Sequence, residues 1–134
     1  MIVVDTCILS EAFRKQIKSR NSEVVDGLTQ MIRDDWPLII PSIVLQEFLT
    51  GFNTDKRVQK ALDTLSGFKV NYADYDDHVL AARVRSQCRK KGIQSSSIDA
   101  LIAAMTINVN GRLLTIDRDF IEVSKVCHLK LFQF

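Results

Sequence analysis

The sequence is poor in residues that break or link structure. Only two prolines and five glycines occur among 134 residues, which leaves little room for linkers or low-complexity tails, and no internal repeat is visible. Its three cysteines, Cys7, Cys88 and Cys127, are an odd number and form no C-x-x-C pair. That argues against a disulfide framework and suits reduced thiols in a cytoplasmic protein. Cys7 and Cys127 read as small core residues. No apolar run approaches the ~20 residues that span a bilayer, so no membrane association is expected. The opening run Ile2-Val3-Val4 is broken by Asp5 and has no basic segment before it, unlike a signal peptide. Charge of one sign is scarce too: 18 Lys+Arg against 16 Asp+Glu leave a net +2. No global basic field therefore announces a polyanionic partner.

What remains is ordinary for a globular protein, with 46% apolar and 25% charged residues. The length fits one domain, residues 1–134, with a real core. Ile2-Val3-Val4 is short and continuously apolar, the mark of a buried central strand. Leu38-Ile39-Ile40 reads as a second strand ended by Pro41, Phe68-Lys69-Val70 as a third, Arg112 to Ile116 as a fourth and Leu129 to Phe132 as an edge strand. Apolar residues at helical spacing predict helices over Thr6 to Lys15, Ser22 to Asp34, Asp55 to Leu65, Asp76 to Lys91 and Ser96 to Val109. Another helix carries Glu47, with Ser42 as its expected cap, and a short one starts at Phe120. Gly92 is a natural stop, and Arg89-Lys90-Lys91 complement the preceding helix end. This alternation predicts an α/β fold with helices layered around a mostly parallel sheet.

Four carboxylates interrupt or border the apolar runs. Asp5 follows Ile2-Val3-Val4, Glu47 lies within Ile43-Val44-Leu45-Gln46-Glu47-Phe48-Leu49, Asp99 opens Ala100-Leu101-Ile102-Ala103-Ala104, and Asp117 closes Leu113-Leu114-Thr115-Ile116. Ionised acids in apolar surroundings are costly unless compensated, and a divalent cation compensates several at once. In parallel sheets, ligands bind beyond the carboxyl ends of the strands, where Asp5 and Asp117 are expected. Each acid also has a plain structural reading. Asp5 can cap the following helix, Ser96 with Asp99 resembles a capping box, and Asp117 and Asp119 suit a turn. Glu47 is harder to assign to the surface, because Ile43, Val44, Leu45, Phe48, Leu49 and Phe52 cover more than half of its helix.

With these residues in order, the chain resembles the PIN-domain ribonucleases, most closely the small VapC-type toxins of VapBC toxin–antitoxin pairs. Val3-Val4-Asp5-Thr6 is similar to the family's first motif. The segment from Pro41 to Gly51, carrying Glu47, is similar to its second. Ile98-Asp99-Ala100-Leu101-Ile102-Ala103-Ala104 resembles the third, and Leu114-Thr115-Ile116-Asp117-Arg118-Asp119-Phe120 the fourth. Eighteen residues from Asp99 to Asp117 fit the spacing of the fourth acid. Cys7 departs from the pattern, since that position is often Asn or Ser in the family.

The resemblance implies a three-layer α/β/α fold and Mg²⁺- or Mn²⁺-dependent hydrolysis of RNA phosphodiesters by metal-activated water. It implies Asp5, Asp99 and Asp117 as metal ligands and Glu47 as the residue that positions the water. Thr6, Thr115 and Asp119 are expected accessories. Hard oxygen donors favour Mg²⁺ or Mn²⁺ over Zn²⁺, and neither His78 nor His128 lies in an acid motif. No organic cofactor is expected. The implied partners are an RNA substrate, a cognate antitoxin peptide and a second copy of the chain in a homodimer. Met31, Ile32, Trp36, Phe52 and Leu62 read first as core, and second as contributors to the antitoxin groove. Two basic regions are available for phosphates: Arg83, Arg85, Arg89, Lys90 and Lys91, and Arg14, Lys15, Lys18 and Arg20. Neither interleaves aromatic residues as a stacking platform does.

Other readings fit less well. Asp5-Thr6-Cys7 lacks the second acid of Asp-x-Asp phosphatases, and Leu38-Ile39-Ile40 leads to Pro41 where a receiver domain has its phospho-acceptor Asp. A housekeeping RNA-processing PIN nuclease and a non-catalytic RNA- or protein-binding PIN domain remain as alternatives.

Overall fold

The structure, a computed structural model, describes residues 1–13 and 21–134. The second basic region, Arg14 to Arg20, and the last residues of the first expected helix lie outside the described residues. Among those described, strands β1 (Ile2–Val4), β2 (Leu38–Pro41), β3 (Lys69–Asn71), β4 (Arg112–Leu114) and β5 (Leu131–Phe132) form one sheet. Its order is β3-β2-β1-β4-β5 and every pairing is parallel. The sheet is thus wholly parallel rather than mostly so.

Helices α1 (Thr6–Ala12), α2 (Ser22–Arg33), α3 (Ser42–Thr50), α4 (Asp55–Leu65), α5 (Tyr75–Lys90), α6 (Ser97–Asn108) and α7 (Asp119–Ser124) connect the strands. The chain steps from β1 to β2 to β3 on one side, then returns to β4 and β5 on the other. Parallel crossovers are almost always right-handed, so reversing direction at β1 puts helices on both sheet faces and makes three layers. Both neighbours of β1 are strands, and Val3 and Val4 are fully buried. Burying each such side chain contributes about 1.5–3 kcal/mol, which explains why this run has no polar alternation.

Several boundaries differ from the sequence reading for physical reasons. Pro41 ends β2 from within, as its last residue paired with Asn71, so the strand is one residue longer than Leu38-Ile39-Ile40. Its φ of −59° suits both the strand exit and the start of α3, where its missing N–H costs little. Ser42 is not the cap of α3; its hydroxyl instead accepts from the Ala73 N–H at 3.3 Å and ties α3 to the exit of β3. Strand β4 stops at Leu114, two residues early, because the next amides turn to side chains. Ile116 N–H donates to Cys7 Sγ at 3.4 Å and Asp117 N–H to Thr115 Oγ1 at 3.0 Å. Strand β3 excludes Phe68, and β5 is shorter than expected, although the Lys130 carbonyl still accepts from Leu113 N–H at 2.9 Å.

Helix α5 starts at Tyr75, not Asp76, because Asp74 and Asp77 form a reciprocal capping box. It ends as expected, with Gly92 at φ +68° just beyond the Lys91 cap, a left-handed conformation that favours glycine. Of the apolar residues read first as core, Met31 is buried and Phe52 packs against the core. Ile32, Trp36 and Leu62 are exposed, at 51%, 42% and 37%. Trp36 stands in the loop before β2, where its ring meets Phe132 edge-on.

Candidate active site

Strands β1 and β4 are neighbours in the sheet but far apart in the chain, so the space beyond their carboxyl ends is a topological switch point. Asp5 leaves β1 there and is 5% exposed. It does N-cap α1, accepting from Thr6 N–H at 2.7 Å. The cap uses only part of its capacity. Thr115 Oγ1 donates to Asp5 Oδ2 at 2.6 Å, and the Cys7 thiol donates to the same oxygen at 3.3 Å. Burial pushes the Asp5 carboxyl above its ordinary range. Bonds from Thr115, Cys7 and Thr6 pull it back, and the negative charge of Glu47 raises it further.

Cys7 is half-buried, and its thiol belongs to this polar network as well as packing against the core. The simple core reading is corrected by those contacts. Burial and the adjacent Asp5 charge push its pKa up to about 11. Cys127 is also half-buried and donates to the Val123 carbonyl at 3.2 Å. Thr6 Oγ1 is buried without a hydrogen-bond partner, an unsatisfied polar atom directly beside Asp5.

Asp99 lies in the first turn of α6, half-buried, and its N–H donates to Ser96 Oγ at 3.0 Å. Burial raises the Asp99 carboxyl, hydrogen bonds from Ser96 lower it, and the charges of Asp117 and Glu47 raise it again. Glu47 projects from α3, which packs against α6. Its field therefore reaches both Asp5 and Asp99, while Asp117 acts on Asp99. These effects on Asp5 and Asp99 place the four acids in one electrostatic neighbourhood. Among the described residues none of the four is ion-paired. Asp117 is exposed, and its Oδ1 accepts from Asp119 N–H at 2.9 Å, which pins the turn into α7.

A cavity of about 530 Å³ opens beside the cluster, lined by Arg85, Arg89, Gln94, Ser95, Ser96, Asp99 and Asp119, with Ile93. It reaches the acids at Asp99 and Asp119. Gln94 and Ser95 were not singled out as lining residues, because they sit in an unpatterned link between α5 and α6. The first basic region divides: Arg85 and Arg89 face this cavity, whereas Arg83 lines a separate one with Lys125 and His128.

The fold has close counterparts among solved structures. VapBC2 from Rickettsia felis, bound to a DNA fragment from its promoter, matches with a TM-score of 0.79 at 24% identity, covering 100% of this chain and 99% of that one. FitAcB from Neisseria gonorrhoeae matches at 0.78 and 22%, covering 99% and 97%. VapC20 from Mycobacterium tuberculosis, a sarcin-ricin loop cleaving toxin, matches at 0.69 and 17%, covering 97% and 99%. No curated protein sequence matches the chain significantly. At such identities the structural likeness speaks for the fold. The PIN domain family model, however, matches residues 2–126, a span that holds all four acids and both strands bearing the switch point. The chain therefore belongs to the PIN domain family.

Proposed function

We propose that this protein is a divalent-metal-dependent endoribonuclease of the VapC type, the toxin of a type II toxin–antitoxin pair. The observation that carries the reading is the electrostatic link among Asp5, Glu47, Asp99 and Asp117 beyond β1 and β4, where the charge of Glu47 adds to the raised proton affinity of Asp5, and the charges of Asp117 and Glu47 to that of Asp99. Support comes from solved relatives that are toxin–antitoxin complexes, and from VapC20, which cleaves the sarcin-ricin loop.

The residues fit a hard cation in their chemistry. Carboxylate oxygens suit Mg²⁺ or Mn²⁺, and the unpartnered Thr6 hydroxyl offers a further oxygen. Among the described residues no three candidate ligands already stand in coordinating geometry, so binding would draw the acids inward or reach some through water. Asp5, Asp99 and Asp117 would hold the cation, which supplies charge neutralisation and Lewis acidity at the phosphodiester.

The chain's own residues supply the rest of the mechanism. Thr115 holds Asp5 by its 2.6 Å bond and fixes which lone pairs face the site. The Asp119 amide fixes Asp117 in the same way. Glu47 positions the attacking water, and Asp119 contacts water at the rim. The reading further takes the protein as cytoplasmic, as a homodimer and as neutralised by an antitoxin peptide. No helix among the described residues is long and apolar enough to cross a membrane.

Cleavage of a cellular RNA pool with Mg²⁺, with Mn²⁺ and with EDTA, beside Asp99→Asn, tests the proposal. Discrete metal-dependent products, absent with the variant, are the expected result. Intact RNA from folded, antitoxin-free protein under every condition overturns it and favours a non-catalytic binding role.

A further inference from the structure

Two residues of α5 separate the acid cluster from a second recess. Arg85 and Arg89 are four apart, so they share one helix face, and both line the 530 Å³ cavity that contains Asp99 and Asp119. Both also line a second cavity of about 480 Å³. Its walls are Ile43, Ala81, Ala82, Ile98 and Leu101, with His78 among the lining. The two arginines thus form a ridge between a polar, acid-bearing space and a largely apolar one.

The ridge is held in place but not neutralised. Arg85 Nη1 donates to Ser97 Oγ at 2.9 Å, an uncharged partner that orients the guanidinium and leaves its charge available. Among the described residues neither arginine is in an ion pair. Guanidinium pairs recognise phosphate oxygens through parallel N–H donors. A cation at Asp99 and two guanidinium groups next to it are complementary to successive phosphates of one strand. The apolar recess behind them is complementary to the face of a nucleobase.

We propose that Arg85 and Arg89 hold a phosphate flanking the scissile bond, and that the recess receives the adjoining unstacked base. The site then selects single-stranded RNA or an open loop, because a base in an A-form helix cannot swing into the recess. This inference rests on the ribonuclease reading. It assigns Arg85 and Arg89 as positioning residues rather than catalytic ones.

Fluorescence anisotropy with a labelled single-stranded oligoribonucleotide tests it, in an Asp99→Asn background that prevents cleavage. Adding Arg85→Gln and Arg89→Gln together is expected to weaken binding about tenfold or more and to lower the salt slope by about 0.7, the value for one phosphate no longer neutralised on a single strand. Arg83→Gln, on the other face of α5, should leave both nearly unchanged. Ala82→Trp fills the recess and keeps the arginines. It should preserve the salt slope while abolishing the preference for a normal strand over one with abasic flanks.

Binding by the double arginine variant that equals the background overturns the proposal, as does equal weakening by Arg83→Gln. So does a background that binds no RNA. If the unmodified protein still cleaves RNA with metal in any of those cases, the ribonuclease reading survives and only the groove fails. If it neither binds nor cleaves RNA, both fail.

Discussion

Asp5 and Asp77 are buried alike, each 5% exposed, and both sit at the start of a helix. Asp77 is the third residue of α5, accepting from Asp74 N–H while Asp74 accepts from its own amide. Its other oxygen accepts from Asn108 Nδ2 at 2.8 Å, which ties α5 to the end of α6. Asp5 is also hydrogen-bonded, by Thr6, Thr115 and Cys7. The difference is where the neighbouring acids come from. Asp5 feels Glu47 of α3, and Glu47 with Asp117 presses on Asp99 of α6, whereas the acids beside Asp77, Asp74 and Asp76, belong to its own helix start and its remaining partner is the Asn108 amide. Burial and good hydrogen bonds describe a structural aspartate as well as a functional one. Convergence of acids from separate elements separates them.

The largest effect that sharpens this contrast is on activity. Asp99→Asn should lower RNA cleavage by more than about a hundredfold, since even outer partners of metal ligands cost 10–100-fold. Asp77→Ala should keep cleavage nearly intact while lowering unfolding free energy in urea by roughly 1–3 kcal/mol, from the lost cap and the stranded Asn108 amide. Severe loss of cleavage in a still-folded Asp77→Ala protein would erase the distinction.

Metal should then read out the same split thermally. Mn²⁺ at about 100 times its Kd should stabilise the parent by about 2.7 kcal/mol. A thermal melt should show that gain in the Asp77 variant and not in Asp99→Asn. A smaller effect concerns pH. Asp5 and Asp99 have raised carboxyl pKa values in the folded state, so the folded protein binds more protons than the unfolded chain. Their contribution is fully present below the ordinary carboxylate range and is lost as pH rises through the raised values. Metal-free protein should lose stability across that window in urea titrations, and Asp99→Asn should flatten the loss.

The smallest effect is at Cys7. With its pKa pushed up to about 11, on the order of 0.1% of the thiol is ionised at pH 8. Iodoacetamide should therefore label it far more slowly than an unperturbed thiol, as followed by mass spectrometry.

Local pattern revealed a good part of this molecule. Ile2-Val3-Val4, Leu38-Ile39-Ile40 and the α4 stripe carry their element in their own spacing. The acids stood out because they interrupt such runs. Partnerships between distant residues were not legible. Nothing near Ser42 announces that its hydroxyl will meet Ala73 rather than cap α3. Nothing near Arg85 names Ser97, and the Asp77–Asn108 bond joins residues 31 apart. The early end of β4 has the same origin, because the amide of Ile116 is taken by Cys7 from the other end of the chain. The parallel sheet was legible in short apolar strands alternating with helices, but the strand order β3-β2-β1-β4-β5 was not, because local composition does not say on which side of β1 each crossover returns.

The bond from Thr115 to Asp5 spans 110 positions, and β1 receives its second flanking strand only from β4. During synthesis, Asp5 leaves the ribosome long before either partner exists. The growing chain can fold its first strands and helices, yet its acids stay unassembled until translation has passed Thr115. Contacts of such long sequence separation form late and slowly. Whatever chemistry the acids support is thus withheld from every unfinished copy, and the order in which the residues are made becomes a safeguard written into the topology.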